Sequence, residues 1–334
     1  MPIVTPEHRS TDTQRSKVPG LASPDMDREP QSPAGPVTRW LSTAQPEALF
    51  VLSAIAQYVG AVLAVLLFDG SIGGTDGVAP QTVAWFRAIG AAIALLAVSR
   101  GWRKGWTRQQ LIGVAFFGIT TVLMNMFFYL GIERVDLGKS VTIEFIGPIA
   151  VAAVMTRSRR NAVALLFALA GVAVLGGVEL DDNALGVLYI LIASALWAGY
   201  IVIGSRVAQV DRGVAGLGLG LAIGALVLTP IGAPGSLEVW TSPSLLILCL
   251  AVGVFSNAIG YGIDQFTMRR IPIRRFSLLL ALLPVTGTLI GWIGLGQQPS
   301  ALDLAGIGLV LVGVAIQERD ELARVEATVR TDPA

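Results

Sequence analysis

The sequence predicts an all-α, polytopic membrane protein in which ten transmembrane helices form two five-helix inverted repeats, with both termini cytoplasmic. An apolar composition, a succession of long apolar segments and their repeated spacing predict this fold class. The 334 residues are 53% hydrophobic and only 14% charged, whereas soluble domains carry about 25% charged residues. The 38 glycines are typical of membrane helices that approach one another closely.

The apolar segments justify the number of helices. Each has roughly 17–25 residues, enough at 1.5 Å per residue to cross a hydrocarbon core of about 30 Å. A buried helix of a soluble protein can imitate one such segment, but a long succession of them indicates membrane spans. The predicted spans are residues 48–68, 79–98, 109–132, 138–155, 161–178, 184–205, 213–232, 243–264, 275–295 and 300–317.

The basic residues predict the orientation of these spans. With the N-terminus inside, cytoplasmic segments hold 21 of the 24 Lys and Arg residues, and the opposite loops hold only Arg134 and Lys139. Because positive loops stay on the cytoplasmic side, both termini are expected there, in a multi-pass protein of the plasma (inner) membrane. Residues 1–46 are rich in Pro, Ser and mixed charge and predict a disordered cytoplasmic tail. Residues 318–334 form the predicted C-terminal tail.

The spacing of the spans predicts an internal repeat. Adding 136 to the start of each of the first five spans gives the start of one of the next five to within about three residues. The same offset carries Pro148 onto Pro284. Because each half, 47–180 and 181–317, holds an odd number of spans, the halves must be inserted in opposite directions. Inverted repeats are typical of alternating-access transporters, which bind substrate at the repeat interface.

Two ionisable residues lie inside predicted spans. Arg87 and Glu144 lie roughly 12 Å and 9 Å along helices that enter from the same face, so their side chains can meet at one depth. A charged side chain at the centre of a membrane helix costs about 2.5–3.5 kcal/mol, and it usually faces a cavity or a partner. We therefore predict that both residues bind substrate and that Glu144 couples transport to protons. The alternative is a structural ion pair that locks two helices.

A third carboxyl, Asp264, lies near the cytoplasmic end of its span. It is a candidate for proton coupling or for a gate, and the alternative is an interfacial carboxylate beside Arg269 and Arg270. Asp303, at a span end, is expected to be solvated. Neutral polar residues in both halves are predicted to complete the substrate site: Gln57, Tyr58, Asn125, Tyr129, Trp197, Tyr200, Asn257 and Tyr261.

Proline and glycine predict the shape and contacts of several helices. Pro148 and Pro284 each remove one backbone hydrogen bond, so we predict helix kinks at both positions. Glycines recur at spacing four on one face of two spans and predict close helix contacts, with a homodimer interface as the alternative. These glycines are Gly216, Gly220 and Gly224 in the seventh span, and Gly287 and Gly291 in the ninth.

Composition argues against several other classes of protein. The net charge of +1 gives no support for nucleic-acid binding. One cysteine, Cys249, and one histidine, His8, provide neither a disulfide framework nor a metal site. No G-x-x-x-x-G-K-[ST] loop or nucleophile–base pair is present, so an enzyme is not expected and no cofactor is predicted. The expected partners are a small-molecule substrate and the lipid bilayer.

Several stretches resemble the drug/metabolite transporter superfamily, with two EamA-type repeats, and in particular its threonine and homoserine exporter branch. The resemblance covers residues 48–317. It implies a secondary transporter that exports small amino acids or related metabolites by proton antiport and alternating access. The stretches are MNMFFYL (124–130), LGKSVTIEFIGPIAVA (137–152), ALWAGYI (195–201), YGIDQF (261–266) and RRIPIRRF (269–276).

Three positions match residues of that branch. Arg87 stands where the branch has an arginine in its second helix. Glu144 and Pro148 match its E-F-x-G-P motif. The resemblance thus implies roles for the same residues that stand out as charged or helix-breaking groups inside the spans.

The second half departs from the branch. Leu283 precedes Pro284 where the family often has Glu-Pro, and LGQ with Gln297 replaces an L-G-E motif. Asp264 stands where the branch tends to have glutamate. These departures remove acidic groups and strengthen Glu144 as the coupling residue. They also leave two alternatives open, an exporter of a drug or another metabolite on the same fold and a membrane interaction protein that does not transport.

Overall fold

In the computed structural model, the described residues are 44–99, 105–156, 159–207, 213–268 and 282–331. These residues are helical and contain no β-strand, as the all-α prediction requires. The helices are α1 (Pro46–Phe68), α2 (Pro80–Ser99), α3 (Arg108–Ile132), α4 (Leu137–Glu144), α5 (Ile146–Thr156), α6 (Arg159–Val207), α7 (Gly213–Val227), α8 (Thr229–Gly232), α9 (Leu237–Thr241), α10 (Pro243–Gly253), a π-helical segment (Val254–Tyr261), α11 (Gly262–Met268), α12 (Leu282–Leu295) and α13 (Ala301–Thr331).

Among the described residues, five helical stretches are long and apolar enough to cross a membrane, and three shorter apolar helices accompany them. Large apolar side chains such as Val98, 84% exposed, and Ile293, 76% exposed, cover the outer surface, where lipid is their natural solvent. The protein is a multi-pass helical membrane protein. The count of ten spans stays a prediction. The five long stretches are Ala48–Phe68, Pro80–Ser99, Arg108–Ile132, Asn183–Ile201 and Pro243–Asp264.

Some predicted boundaries differ in the structure. The loop expected between the fifth and sixth spans is replaced by helical backbone, interrupted only at Asn183, whose φ of −138° and ψ of 39° leave the helical region. At the other end of the chain, α13 continues to Thr331 as one helix of 31 residues. The disordered tail was predicted for residues that lie almost entirely outside the described ones, which begin at residue 44.

The fourth predicted span is divided into two helices. Helix α4 ends at Glu144, and α5 begins at Ile146. Pro148 has no backbone N–H to donate to the carbonyl of the residue four positions before it, which is Glu144. The break therefore lies at the predicted coupling residue. For Pro284, the equivalent acceptor is Leu280, which lies outside the described residues.

Helices of the first predicted half pack directly against helices of the second. Helix α1 packs against the π-helical segment and α12, and α2 packs against α7 and α10. Helix α3 packs against α7, and α4 packs against α12. Each of these contacts joins a helix from before residue 180 to one from after it. The space at the centre of the bundle is therefore walled by both halves, whereas the division into two repeats stays a prediction.

Glycines allow these close contacts. A Cβ atom at Gly118 of α3 would collide with the backbone of Gly220 in α7. On α12, a Cβ atom at Gly287 would lie 3.1 Å from Val141, and one at Gly291 would lie 3.4 Å from Leu137. The glycine faces of α7 and α12 are thus used for contacts within the chain. The homodimer interface, the alternative explanation of these glycines, stays a prediction.

The N-terminal turn of α4 is joined to the second half by polar contacts. The Lys139 Nζ atom lies 3.6 Å from Asp303 Oδ1 and 3.2 Å from Asp136 Oδ2. Asp303 is only 4% exposed, so the expectation that it is solvated is wrong, because it both pairs with Lys139 and caps α13. The Gln297 side-chain oxygen accepts a hydrogen bond from the Leu137 backbone N–H at 2.9 Å. We call the Lys139–Asp303 and Leu137–Gln297 contacts the α4 anchor.

Substitutions of the two carboxylates that contact Lys139 should lower the stability of the protein by different amounts. Asp303→Asn should destabilise the protein by about 1–3 kcal/mol, because it removes one charge from a largely buried pair. The matched variant Asp136→Asn changes a carboxylate that is 43% exposed and should have a much smaller effect. Melting temperatures of both variants in the same detergent measure the difference, and equal shifts would contradict the buried role of Asp303.

Candidate functional site

A cavity of about 210 Å³ lies among the helices of both halves. Most residues predicted from the sequence to form the site line it. None of the described loop residues at the predicted outer ends of the helices contributes to its wall. The lining residues that were predicted are Gln57, Tyr58, Arg87, Asn125, Glu144, Pro148, Trp197, Tyr200, Tyr261 and Asp264.

Arg87 is the cation of the cavity. It lies in the middle of α2 and is only 5% exposed. Its Nε atom donates a hydrogen bond to Asn257 Oδ1. Its Cζ atom lies 4.9 Å from the centroid of the Tyr129 ring, which is within the range of a cation–π contact. The guanidinium group is therefore held on two sides by protein.

Glu144 is the last residue of α4, beside the helix break, and its side chain lines the same cavity. No ion pair within 4.0 Å joins its carboxylate to Arg87. The structure therefore lacks the locked ion pair that was the alternative to a role in binding. The two side chains line one shared cavity.

Asp264 forms a second acidic position in the wall. Gln57 Nε2 donates hydrogen bonds to Asp264 Oδ2 and to Ser53 Oγ, both at 3.0 Å. Asp264 Oδ1 is buried and accepts no hydrogen bond from the described residues. Asp264 thus belongs to the cavity. Arg269 and Arg270, the partners of its alternative interfacial role, lie outside the described residues.

Aromatic and amide side chains enclose the remaining space. The Tyr261 hydroxyl donates to Asn125 Oδ1 at 3.4 Å. Trp197 meets Phe145 edge-on at a centroid distance of 5.2 Å. The Tyr200 ring lies 4.8 Å from the Phe117 ring, centroid to centroid, and Tyr200 also lines the cavity.

Three predicted residues lie outside the lining. Tyr129 and Asn257 are fully buried, and both contact Arg87 without lining the cavity. Pro284 does not line the cavity either, although its neighbour Leu283 does. The apolar residues of the wall were not predicted from the sequence, because they look like ordinary membrane-helix residues. Most of them lie one, three or four positions from a predicted polar residue, so helical periodicity was a usable signal. These apolar residues are Ala61, Met124, Phe128, Val141, Phe145, Ile201 and Leu283.

The fold and cavity together define a class of protein. Helices from before and after residue 180 enclose a space for a small solute, and the described part of its wall carries one arginine, two carboxyls, amides and aromatic rings. A discontinuous helix borders it, which is typical of substrate sites in membrane transporters. The molecule has the architecture of a multi-pass membrane transporter for small molecules.

Comparison with known proteins gives the family. A family model described as the EamA-like transporter family matches residues 184–317. The threonine/homoserine exporter RhtA of Escherichia coli (strain K12) is 33% identical over 236 residues, which are 70% of this chain and 79% of the relative. The corresponding exporter of Salmonella typhimurium (strain SL1344) is 31% identical over 277 residues, 82% of this chain and 91% of the relative. An uncharacterized transporter of Archaeoglobus fulgidus is 23% identical over 248 residues.

The chain belongs to the EamA-like transporter family, within the drug/metabolite transporter superfamily and near the RhtA exporters. The resemblance inferred from the sequence motifs is thereby confirmed. The coverage of the relatives includes most of their length, so the likeness extends over the transporter body and is not limited to one motif.

The cavity predicts a difference in thiol reactivity along α1. In Ala61→Cys the thiol would line the cavity, whereas in Ala54→Cys it would lie in the apolar core, although both alanines are buried. A small water-soluble thiol reagent should therefore modify the first variant at least about tenfold faster, since reaction requires a solvated thiolate. Mass spectrometry measures both rates, and the buried Cys249 keeps the background low. Equal rates in the two variants would show that the cavity is not accessible to water.

Proposed function

We propose that this transporter exports small amino acids of the threonine and homoserine type, or closely related metabolites, across the plasma membrane by proton antiport. The observation that carries the proposal is the meeting of Arg87, Glu144 and Asp264 at one small cavity. The names of the curated relatives, which are threonine/homoserine exporters, support this cargo.

The size of the cavity favours an amino acid over a drug. Its volume of about 210 Å³ corresponds to roughly seven waters at about 30 Å³ each. Pockets for drug-sized ligands occupy about 300–1,000 Å³. A short amino acid fills such a space, whereas a larger hydrophobic drug requires the walls to move apart.

The charges of the cavity suit a zwitterion. The substrate carboxylate accepts hydrogen bonds from the Arg87 guanidinium, and the substrate ammonium lies against Glu144. Aromatic and amide groups of the wall shape the space for the substrate side chain. Because Arg87 and Glu144 do not pair directly with each other, neither charge has to be released from the other before substrate binds.

Proton coupling follows from competition for one carboxylate. Glu144 interacts either with a substrate ammonium or with a proton, and the two exclude each other at the same oxygen atoms. Release of the substrate on one side therefore favours protonation there, and loss of the proton on the other side restores the site. Asp264 is the second carboxyl that takes part, as a proton acceptor or a gate on the side of α11.

Alternating access requires that the contacts which close the cavity on one side of the membrane can separate. The α4 anchor joins the first turn of α4 to α13 and to the loop before α13, at the end of the bundle that the loop charges predict to be outside. We propose that these contacts separate when substrate leaves the cell, because Glu144 lies at the other end of the same short helix. This step rests on the predicted orientation of the termini.

The substrate assignment predicts the effect of two neutral variants. Arg87→Gln and Glu144→Gln should each lower counterflow of threonine or homoserine in proteoliposomes by at least about tenfold, the effect of losing a hydrogen bond to a charged group. Glu144→Gln should also remove any stimulation by a pH gradient. A panel of amino acids run with and without the gradient gives both results.

The same panel separates the rival functions. Variants that fold, reach the membrane and transport normally would overturn the assignment of Arg87 and Glu144. Flux of a different metabolite by the wild-type protein would favour another cargo on the same fold. Absence of both flux and ligand-dependent thermal stabilisation would favour a membrane interaction protein that does not transport.

The α4 anchor predicts a change in access from outside. In the Ala61→Cys background, Asp303→Asn should increase labelling by a membrane-impermeant thiol reagent added outside by about tenfold or more, since a charged contact of this kind is lost. Asp136→Asn is the matched control and should leave the rate unchanged. Equal outside labelling with and without Asp303→Asn would contradict a role for the anchor in closure.

A further inference from the structure

We infer that Asn257 and Tyr129 are positioning residues that restrict Arg87 to end-on recognition of a carboxylate, and that they thereby make the transporter select substrates with a free carboxylate group. The inference rests on the proposed amino-acid function and adds a basis for its selectivity. Neither residue lines the cavity, and both are fully buried against Arg87.

The contacts of Arg87 leave only one side of its guanidinium group for a ligand. The Nε–H is donated to Asn257 Oδ1, and the Tyr129 ring covers one face at 4.9 Å. The terminal Nη atoms make no hydrogen bond with the described residues, and Arg87 lines the cavity, so we assign these two donors to the ligand. A guanidinium held in this way presents two parallel N–H donors, the geometry that matches the two oxygens of a carboxylate.

A close helix contact explains how Asn257 reaches this position. A Cβ atom on Gly253 would collide with the carbonyl oxygen of Arg87 and lie 2.8 Å from the backbone nitrogen of Ala91, so α10 touches the backbone of α2 at the level of the arginine. The helix widens into the π-helical segment from Val254 onward. Such segments often occur at functional sites, where they alter the direction of side chains. Asn257 lies within this segment and is 0% exposed.

Tyr129 contacts Arg87 from the first half of the protein, whereas Asn257 belongs to the second half. It lies near the end of α3, is 0% exposed and contacts Phe68 edge-on at a centroid distance of 5.5 Å. Because the ring is fixed by this contact, it limits rotation of the guanidinium above it. Arg87 is thus held between a first-half aromatic ring and a second-half amide.

This arrangement has a consequence for the choice of substrate. A carboxylate offers two equivalent anionic oxygens to the two Nη donors, whereas a primary amide or an alcohol offers a single neutral acceptor. An arginine free to rotate would lose part of this distinction, because it could approach a neutral acceptor with any of its N–H groups. Selectivity for the carboxylate should therefore depend on residues that never contact the substrate.

The test compares threonine with threonine amide and with threoninol, its amino-alcohol analogue. Each compound competes for counterflow of radiolabelled threonine in proteoliposomes, and the ratio of half-inhibitory concentrations is the carboxylate selectivity. Asn257→Leu, which removes the acceptor at similar volume, should lower that ratio by about tenfold. The matched control is Ser256→Ala, which removes a buried hydrogen bond to the Gln57 carbonyl in the same π-helical segment and should leave the ratio unchanged.

A second pair of variants tests Tyr129 independently of Asn257. Tyr129→Phe keeps the ring and should keep the selectivity, whereas Tyr129→Leu removes the ring and should lower it. Thermal stabilisation by the same three compounds gives the ratio for any variant with little flux, and the Tyr129 pair serves if Asn257→Leu does not assemble. A structural role alone would lower the amount of protein without changing the ratio.

The outcomes separate this inference from the proposed function. Wild-type selectivity in both Asn257→Leu and Tyr129→Leu, with loss of selectivity in Arg87→Gln, would overturn the positioning role. Absence of amino-acid flux and binding in the wild-type protein would instead overturn the proposed function. Loss of selectivity in Ser256→Ala as well would also count against the inference, because it would assign the effect to general damage of the segment.

Discussion

A cation held away from water is the constraint on which the centre of this protein depends. A charged side chain in a membrane span needs partners from the protein, and this applies to Arg87. Asn257 and Tyr129 supply them from two other helices, and the small residue Gly253 allows the necessary approach of α10 to α2. The contact between α2 and α10 and the basic side of the cavity both depend on satisfying this one group.

The position of Glu144 beside the cavity has a different physical cause. Pro148 deprives the Glu144 carbonyl of its helical hydrogen bond, so a helix ends where an acidic side chain faces the cavity. A backbone break beside a cavity is tolerated in a membrane because neighbouring protein and water can satisfy the freed groups. The cavity thus lies between the continuous helix α2, which carries Arg87, and the break between α4 and α5, which lies beside Glu144.

Much of the fold and of the cavity was predictable because hydrocarbon penalises polar groups strongly. Span positions follow from apolar length, and side chains such as Gln57, Asn125 and Trp197 had few places to lie other than a common cavity. Contacts between distant segments were not predictable. Arg87 and Asn257 are 170 residues apart, and no local pattern shows that Asn257 lies behind the arginine. The pairing of Lys139 with Asp303, the π-helical segment and the apolar wall likewise arise from tertiary contacts.

The shortness of α4 has a mechanical consequence. Its eight residues make a rigid rod about 12 Å long, with Lys139 in its first turn and Glu144 at its last position. Any tilt imposed at one end displaces the other, because so short a helix has no interior point at which to bend. In the proposed transport cycle, binding at the Glu144 carboxylate and separation of the Lys139–Asp303 pair would therefore be thermodynamically linked, and by reciprocity each would shift the equilibrium of the other by the same factor.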